Sequence, residues 1–120
     1  MSPNVAATTA FMSAMKDKDL SHAPLAETVF YHGPLSGEPI QGRHNVARFL
    51  GVYLPVIHDV RVIRQIADGD YVATMWQADT SFGPLSLVYV FCVQAGNIVE
   101  IQAFYDPRGF LERMGMWTGA

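Results

Sequence analysis

The sequence predicts an α+β protein in which helices cover the concave face of a curved antiparallel or mixed sheet. Three apolar runs rich in β-branched and aromatic residues, at residues 71–76, 85–93 and 98–105, are joined by short turns and predict a strand meander. The first half of the chain carries apolar residues at helical spacing, so helices are available to cover one face of that sheet. A sheet closed on one side by helices encloses a pocket, and we expect function to reside there.

Three helices are predicted before the meander, at residues 3–16, 19–26 and 42–54. The first begins where Ser2 can cap a helix that has Pro3 at its first position. Asp19 is the predicted cap of the short second helix. The third helix carries an apolar stripe and stops at Pro55, because the residue before a proline avoids helical geometry.

Two further strands are predicted at residues 28–32 and 56–67, with a loop over residues 35–41. Gly33 and Pro34 stop the first of these strands, and Asp-Gly-Asp at residues 68–70 is a strong hairpin signal. Further turns are predicted at residues 83–84 and 95–97. Asp106 before Pro107 is typical of a helix N-cap, so a short tail helix should follow.

Composition excludes several classes of protein. A chain of 120 residues suits one domain, and its 50% hydrophobic and 16% charged content indicates an ordered chain. The net charge is −3 and the few Lys and Arg residues are scattered, so no nucleic-acid partner is expected. The longest apolar run, about nine residues, is too short to cross a membrane. The N-terminus lacks a secretory signal and Cys92 is the only cysteine, so we expect a cytoplasmic protein.

The order of these elements resembles the nuclear transport factor 2-like (cystatin-like) fold, a cone-shaped curved sheet around helices. Within that fold the chain is similar to the SnoaL-like and ketosteroid-isomerase-like families. The similar phrases lie at residues 25–34, 42–50, 66–76 and 98–106. The resemblance implies a single SnoaL-like domain over residues 1–120, with three N-terminal helices on the concave face. Isomerases, cyclases, dehydratases, epoxide hydrolases and non-catalytic binding proteins share the fold, so the fold does not decide the activity.

Strand alternation decides which side chains reach the pocket. The resemblance places the face of Trp76 inside, where Trp76 would form a wall against the ligand. By the same reasoning the inward residues of the next two strands are Ser86, Val88, Val90 and Cys92, then Val99, Ile101, Ala103 and Tyr105. Among these, Val88, Val90 and Ala103 are predicted to contact a small apolar ligand. Tyr31, Tyr53 and Tyr105 are candidates to donate a hydrogen bond to a ligand oxygen.

His32 is the candidate proton shuttle. It ends the first strand near the position at which ketosteroid isomerases carry their carboxylate base, and imidazole titrates near neutral pH. Gly33 is the alternative occupant of that position, and a slip of one residue would turn His32 to the opposite face. Asp106 is a second candidate catalytic group, to orient a histidine or accept a proton. Its alternative role is to cap the tail helix.

Two hypotheses follow from these residues. The first is a cofactor-independent enzyme that acts on an apolar carbonyl-bearing ligand through His32, Tyr105 and Asp106, as an isomerase, cyclase or dehydratase. The second is a binding or accessory protein with the same pocket and no catalysis. No metal is expected, because the four histidines lack ligand spacing. A ring of His32 that points outward, with Tyr31 filling the pocket, would favour the second hypothesis.

The outer face of the sheet predicts a homodimer. Tyr89, Phe91, Phe104 and Met75 are assigned to that face, which would then be too apolar to leave in water. The resemblance to ketosteroid isomerases matches Val88 with the neutral Asp of their oxyanion hole. The acidic half of that oxyanion hole is therefore expected to be missing.

Overall fold

The computed structural model describes residues 2–113, and within them an α+β fold of three α-helices and a six-stranded sheet. The helices are α1 (Pro3–Lys16), α2 (Arg43–Tyr53) and α3 (Arg108–Arg113), and a single 3-10 turn (Leu54–Val56) follows α2. The strands are β1 (Leu25–His32), β2 (Ile40–Gln41), β3 (Ile57–Asp68), β4 (Tyr71–Thr80), β5 (Gly83–Gln94) and β6 (Asn97–Phe104). No helix of this described part is long and apolar enough to cross a bilayer.

The sheet is mixed. Its strand order is β2-β1-β6-β5-β4-β3, and β1 pairs parallel to β6 while all the other neighbours are antiparallel. The register shifts between Val62 and Arg64 on β3 and between Cys92 and Val93 on β5. Such bulges bend strands, so they help to curve the sheet. The predicted α+β architecture with a curved mixed sheet is confirmed.

The core lies between the concave face of the sheet and the helices. Phe11 of α1 is fully buried and its ring meets that of Phe91 at 5.4 Å in an edge-on arrangement. From α2, Val46 and Leu50 are buried in the same cluster as Ile101 of β6. Both N-terminal helices therefore cover the sheet by burying one apolar stripe, which is what stabilises them in water.

A buried polar network fastens α1 to the sheet. The Gln65 Oε1 accepts hydrogen bonds from the hydroxyls of Thr8 at 2.6 Å and Thr74 at 2.8 Å. The Gln65 Nε2 donates to the Thr9 hydroxyl at 2.8 Å. Thr8 and Thr74 are fully buried, so this network satisfies polar groups that would otherwise destabilise the interior.

The predicted second helix at residues 19–26 is wrong. Residues 17–24 form turns, and Leu25 and Ala26 belong to β1. Pro24 explains the difference, because it lacks an N–H and disfavours helical geometry in the residue before it. Its carbonyl instead accepts a hydrogen bond from the Ile98 N–H at 2.7 Å, which starts the β1–β6 pairing. The loop predicted at residues 35–41 also ends in the short strand β2.

Candidate functional site

A largely enclosed cavity of about 40 Å³ lies between the concave face of the sheet and the helices α2 and α3. Its walls are aromatic and aliphatic, and its polar groups are one tryptophan, Thr80 and four tyrosines. The tyrosines are Tyr31, Tyr53, Tyr89 and Tyr105. Among the described residues that line it there is no carboxylate, histidine, lysine, arginine or cysteine. A wider groove of about 650 Å³ runs between residues 18–21 and α2, but it is open to solvent.

Three tyrosine side chains, Tyr31, Tyr89 and Tyr105, line the cavity together. The Tyr31 ring packs edge-on against that of Tyr89, with ring centroids 6.2 Å apart. Burial is the main cause that raises the pKa of all three phenols above the ordinary value, and their mutual proximity is a smaller cause. The three hydroxyls therefore stay protonated near neutral pH, where each can donate a hydrogen bond.

Trp76 forms the β4 wall of the cavity. Its indole is 2% exposed and packs edge-on against Tyr89, with ring centroids 5.1 Å apart and planes at 79°. Within residues 2–113, the Trp76 Nε1 is the one buried side-chain nitrogen or oxygen without a hydrogen-bond partner. A native interior rarely leaves such a donor unpaired.

Four residues predicted from the sequence do lie at the cavity. Tyr31, Tyr53, Trp76 and Tyr105 line it. Ala103 is buried on the same side of the sheet, next to Tyr31 and Gly33. Their roles in binding or catalysis stay predictions.

The predicted orientation of His32 is wrong. His32 is exposed, whereas its neighbour Tyr31 is 1% exposed and fills the cavity. Successive side chains of a strand point to opposite faces, so the ring that enters the cavity is that of Tyr31. His32 instead borders a shallow depression with Gln102 and Phe104, outside the cavity.

Asp106 is also outside the cavity. Its carboxylate accepts a hydrogen bond from the backbone N–H of Arg108, the first residue of α3, and from the Arg108 guanidinium at 2.8 Å. These hydrogen bonds lower the pKa of the exposed Asp106 carboxyl. Of the two predicted roles, the structure therefore places Asp106 in the one that stabilises the start of α3.

The predicted inward set of β5 is wrong by one residue. Trp76 pairs with Leu87, and residues directly opposite each other in a sheet share a face. Leu87, Tyr89 and Phe91 therefore point inward, while Ser86, Val88, Val90 and Cys92 belong to the alternate positions. The hairpin turns at residues 81–82, because Thr80 pairs with Gly83, and not at the predicted residues 83–84. Successive residues of a strand face opposite sides, so an assignment that is off by one residue reverses every side chain of the strand.

Tyr89 is the site residue that the sequence analysis assigned to the wrong face. The larger side chains of β5 occur at every second position, namely Leu85, Leu87, Tyr89, Phe91 and Val93. That alternation is a signal for the buried face and would have identified Tyr89. The same correction removes Tyr89 and Phe91 from the outer face, where Phe104 is exposed and Met75 is half-buried.

The fold defines the class, a nuclear transport factor 2-like protein with helices over a curved mixed sheet. The model of the SnoaL-like domain matches residues 8–101, and the chain belongs to this family. No match is found among curated proteins.

Solved structures share the fold at low identity. A steroid delta-isomerase from Pseudomonas aeruginosa is 23% identical with a TM-score of 0.78, over 96% of this chain and 88% of that one. TerC, co-crystallised with polyporic acid, is 21% identical with a TM-score of 0.77, over 92% of this chain and 97% of that one. A de novo designed protein with a curved β-sheet is 16% identical with a TM-score of 0.81, over 98% of each chain. Because a designed protein is among these structures, the likeness describes the fold alone.

Proposed function

We propose that the protein binds a small, neutral, apolar ligand in the inner cavity and does not catalyse acid–base chemistry there. The observation that carries this proposal is the kind of polar group at the cavity. Protonated tyrosine hydroxyls and an indole N–H can hold an oxygen of a ligand, but near neutral pH none of them is a base.

The position next to His32 supports the same proposal. A Cβ atom on Gly33 would lie 2.9 Å from the Tyr31 hydroxyl and 2.9 Å from the Ala103 Cβ. The alternative base position therefore has no room for a side chain while Tyr31 occupies the cavity. Because proton abstraction needs a base within hydrogen-bond reach of the substrate, both sites considered for the base fail on geometry.

The second candidate is an isomerase, as in the Pseudomonas aeruginosa neighbour. The cluster of Tyr31, Tyr89 and Tyr105 favours it, because neutral phenols can stabilise a developing oxyanion. The base would then have to come from elsewhere, for example from a water molecule. Binding without turnover is the simpler use of the groups that line the cavity.

Entry of a ligand requires the cavity to widen. Its volume of about 40 Å³ is far below the roughly 300–1,000 Å³ of ordinary ligand pockets. Phe110 is the buried residue of the described part of α3, and it packs edge-on against Phe82 at 4.8 Å and Tyr53 at 6.2 Å. The described part of α3 has one buried residue, Phe110, and is the part of the wall that we expect to move.

The test uses Trp76 as the reporter. Trp117→Phe leaves Trp76 as the only tryptophan, since the chain has two. In this Trp117→Phe protein we expect acetophenone to quench the Trp76 fluorescence saturably. Addition of Phe110→Ala should tighten the binding of bicyclic ketones. Neither protein should isomerise a β,γ-unsaturated ketosteroid. Val52→Ala is the control, because Val52 is 68% exposed on α2 and does not line the cavity. The proposal is refuted if neither the Trp117→Phe protein nor its Phe110→Ala variant binds these ketones. Turnover of the ketosteroid that is abolished by Tyr31→Phe favours the isomerase.

We further propose that the protein is a homodimer joined through the outer face of its sheet. Ile63 and Phe104 on this face are 60% and 56% exposed, and Met75 and Val88 lie beside them around a shallow depression. Burial of each such side chain contributes about 1.5–3 kcal/mol. An apolar group of this kind on an open sheet face is typical of an association surface.

The dimer is tested by sedimentation. Phe104→Lys should convert a wild-type dimer into a monomer, because it places a charge in the proposed interface. Val52→Lys is the matched control, since Val52 is 68% exposed on α2, away from the sheet, and should leave the dimer intact. A monomeric wild-type protein at micromolar concentration contradicts the proposal.

A further inference from the structure

The indole N–H of Trp76 is an unexplained feature of the interior. Trp76 is 2% exposed, and its Nε1 has no hydrogen-bond partner among residues 2–113. Two residues earlier on the same strand face, Thr74 is fully buried and its hydroxyl donates to Gln65 at 2.8 Å. The fold can therefore supply partners to buried polar groups of β4, and within residues 2–113 it does not do so for Trp76.

On one side Trp76 packs against the ring of Tyr89, and on the other its neighbours on the sheet are apolar. Its cross-strand neighbour is Leu87, and the next inward pair of the two strands is Ala78 with Leu85. All four residues line the cavity, and the side chains of the other three contain only carbon and hydrogen. Within residues 2–113 the Trp76 Nε1 bonds to none of the neighbouring side chains, that of Tyr89 included, so a ligand that enters the cavity can supply the missing acceptor.

The chemistry of the indole restricts what can satisfy it. Trp Nε1–H is a donor only, whereas the tyrosine hydroxyls that line the cavity both donate and accept. The complementary group is therefore an acceptor oxygen. A carboxylate would be costly to bury here, because no cationic side chain is among the described residues that line the cavity. A neutral carbonyl fits both the donor and its apolar surroundings.

We infer that Trp76 is a specificity-determining residue whose Nε1–H binds the carbonyl oxygen of a neutral aromatic ketone, ester or related ligand. The inference rests on the proposed ligand cavity and adds the polar group that the ligand must carry. A site built to donate to an oxygen rejects an analogue without that oxygen, since its own donor is then left unpaired. The unpaired N–H of the structure is the group that such a ligand would satisfy.

The experiment compares two probes of nearly the same shape, acetophenone and ethylbenzene, which differ by a carbonyl in place of a methylene. In ¹⁵N-labelled Trp117→Phe protein, Trp76 gives a single indole N–H signal. We expect both probes to bind and only the ketone to shift the indole proton downfield. The ketone should bind about tenfold more tightly, as expected for one neutral hydrogen bond in a desolvated site.

A second variant separates the hydrogen bond from the shape of the wall. Trp76→Phe keeps an aromatic ring without the N–H, and we expect it to reduce the tenfold preference for the ketone towards equality. Tyr53→Phe is the control, because it removes one hydroxyl of the cavity and leaves the indole shift in place. The indole shift is measured with Trp76 present, so it does not depend on how well Trp76→Phe folds.

The outcomes are distinct. Binding of both probes with no indole shift and with an unchanged preference in Trp76→Phe overturns this inference and leaves the cavity proposal standing. Failure of both probes to bind overturns the cavity proposal and the inference with it. A ketone-specific indole shift, with the preference lost in Trp76→Phe, supports both.

Discussion

The two ends of the sheet face that the helices cover differ in whether their buried polar groups are hydrogen-bonded. Under α1, the side-chain amide of Gln65 is bonded to Thr8, Thr9 and Thr74. Under α2 and α3, the Nε1 of Trp76 has no partner within the described residues. Thr74 and Trp76 are two residues apart on β4 and face the same side of the sheet.

This difference indicates that one end of β4 serves to stabilise the fold and the other end forms the candidate site. At the α1 end, full packing of Phe11 against Phe91 and a closed hydrogen-bond network fix the helix on the sheet. At the other end, aromatic side chains surround a cavity and an unpaired donor remains. Departures from complete satisfaction are expected where a protein binds something, so the second end is the candidate site.

The largest effect on stability is expected from Gln65→Leu, which tests whether the α1 end is purely structural. The change keeps the size of the side chain and removes the acceptor of the Thr8 and Thr74 hydroxyls, so we expect a loss of about 2–3 kcal/mol of folding free energy. Urea denaturation measures it. Ligand binding by the folded protein should be unchanged, and a large loss of affinity would show that the two ends are not independent.

A smaller effect is expected from Gly33→Ala at the cavity end. The new Cβ would lie 2.9 Å from the Tyr31 hydroxyl and from the Ala103 Cβ, so one of them must move, at a cost of about 1–2 kcal/mol. Ligand affinity should fall with stability. Gly51→Ala is the matched control on α2, where the Cβ meets nothing within 4 Å, and it should stabilise the protein by about 0.5–1 kcal/mol.

The smallest effect is confined to alkaline pH. The pKa values of Tyr31, Tyr89 and Tyr105 are raised in the folded state, so the unfolded chain loses these protons first. Stability from these phenols is therefore fully present below about pH 10 and is lost as the pH rises above it. Phenolate absorbance should show that three of the five tyrosines ionise only with unfolding. Ionisation of all five before any loss of circular dichroism would contradict this.

The elements with strong local signals could be predicted from the sequence. Ser2 caps α1 by accepting a hydrogen bond from the Val5 N–H at 3.1 Å, as its position before Pro3 indicates. The Asp-Gly-Asp turn lies between β3 and β4, with Gly69 at a positive φ of 58°. Each of these features depends on a few consecutive residues, so tertiary contacts did not override them.

The site was harder to predict, because it depends on register. Gly83 has the positive φ of 109° that a glycine near a turn often provides, yet it is already paired with Thr80. The predicted inward face of β5 is off by one residue, so Val88 and Val90 leave the predicted pocket and Tyr89 enters it. The same alternation of strand faces decides whether Tyr31 or His32 points into the cavity. Whether the Trp76 N–H has a partner depends on side chains of other strands and helices, and no local pattern contains that information.

The parallel pairing of β1 with β6 also has a consequence for the order of folding. Tyr31 pairs with Ile101, 70 positions later in the chain, whereas β3, β4 and β5 each pair with the strand that follows them. Pairing across a long separation is slow, because the entropy of closing the loop is lost before the contacts form. On the ribosome, β1 must wait for β6 to emerge. Tyr31 therefore reaches its place in the cavity late, and the cavity is completed after the meander that forms its wall.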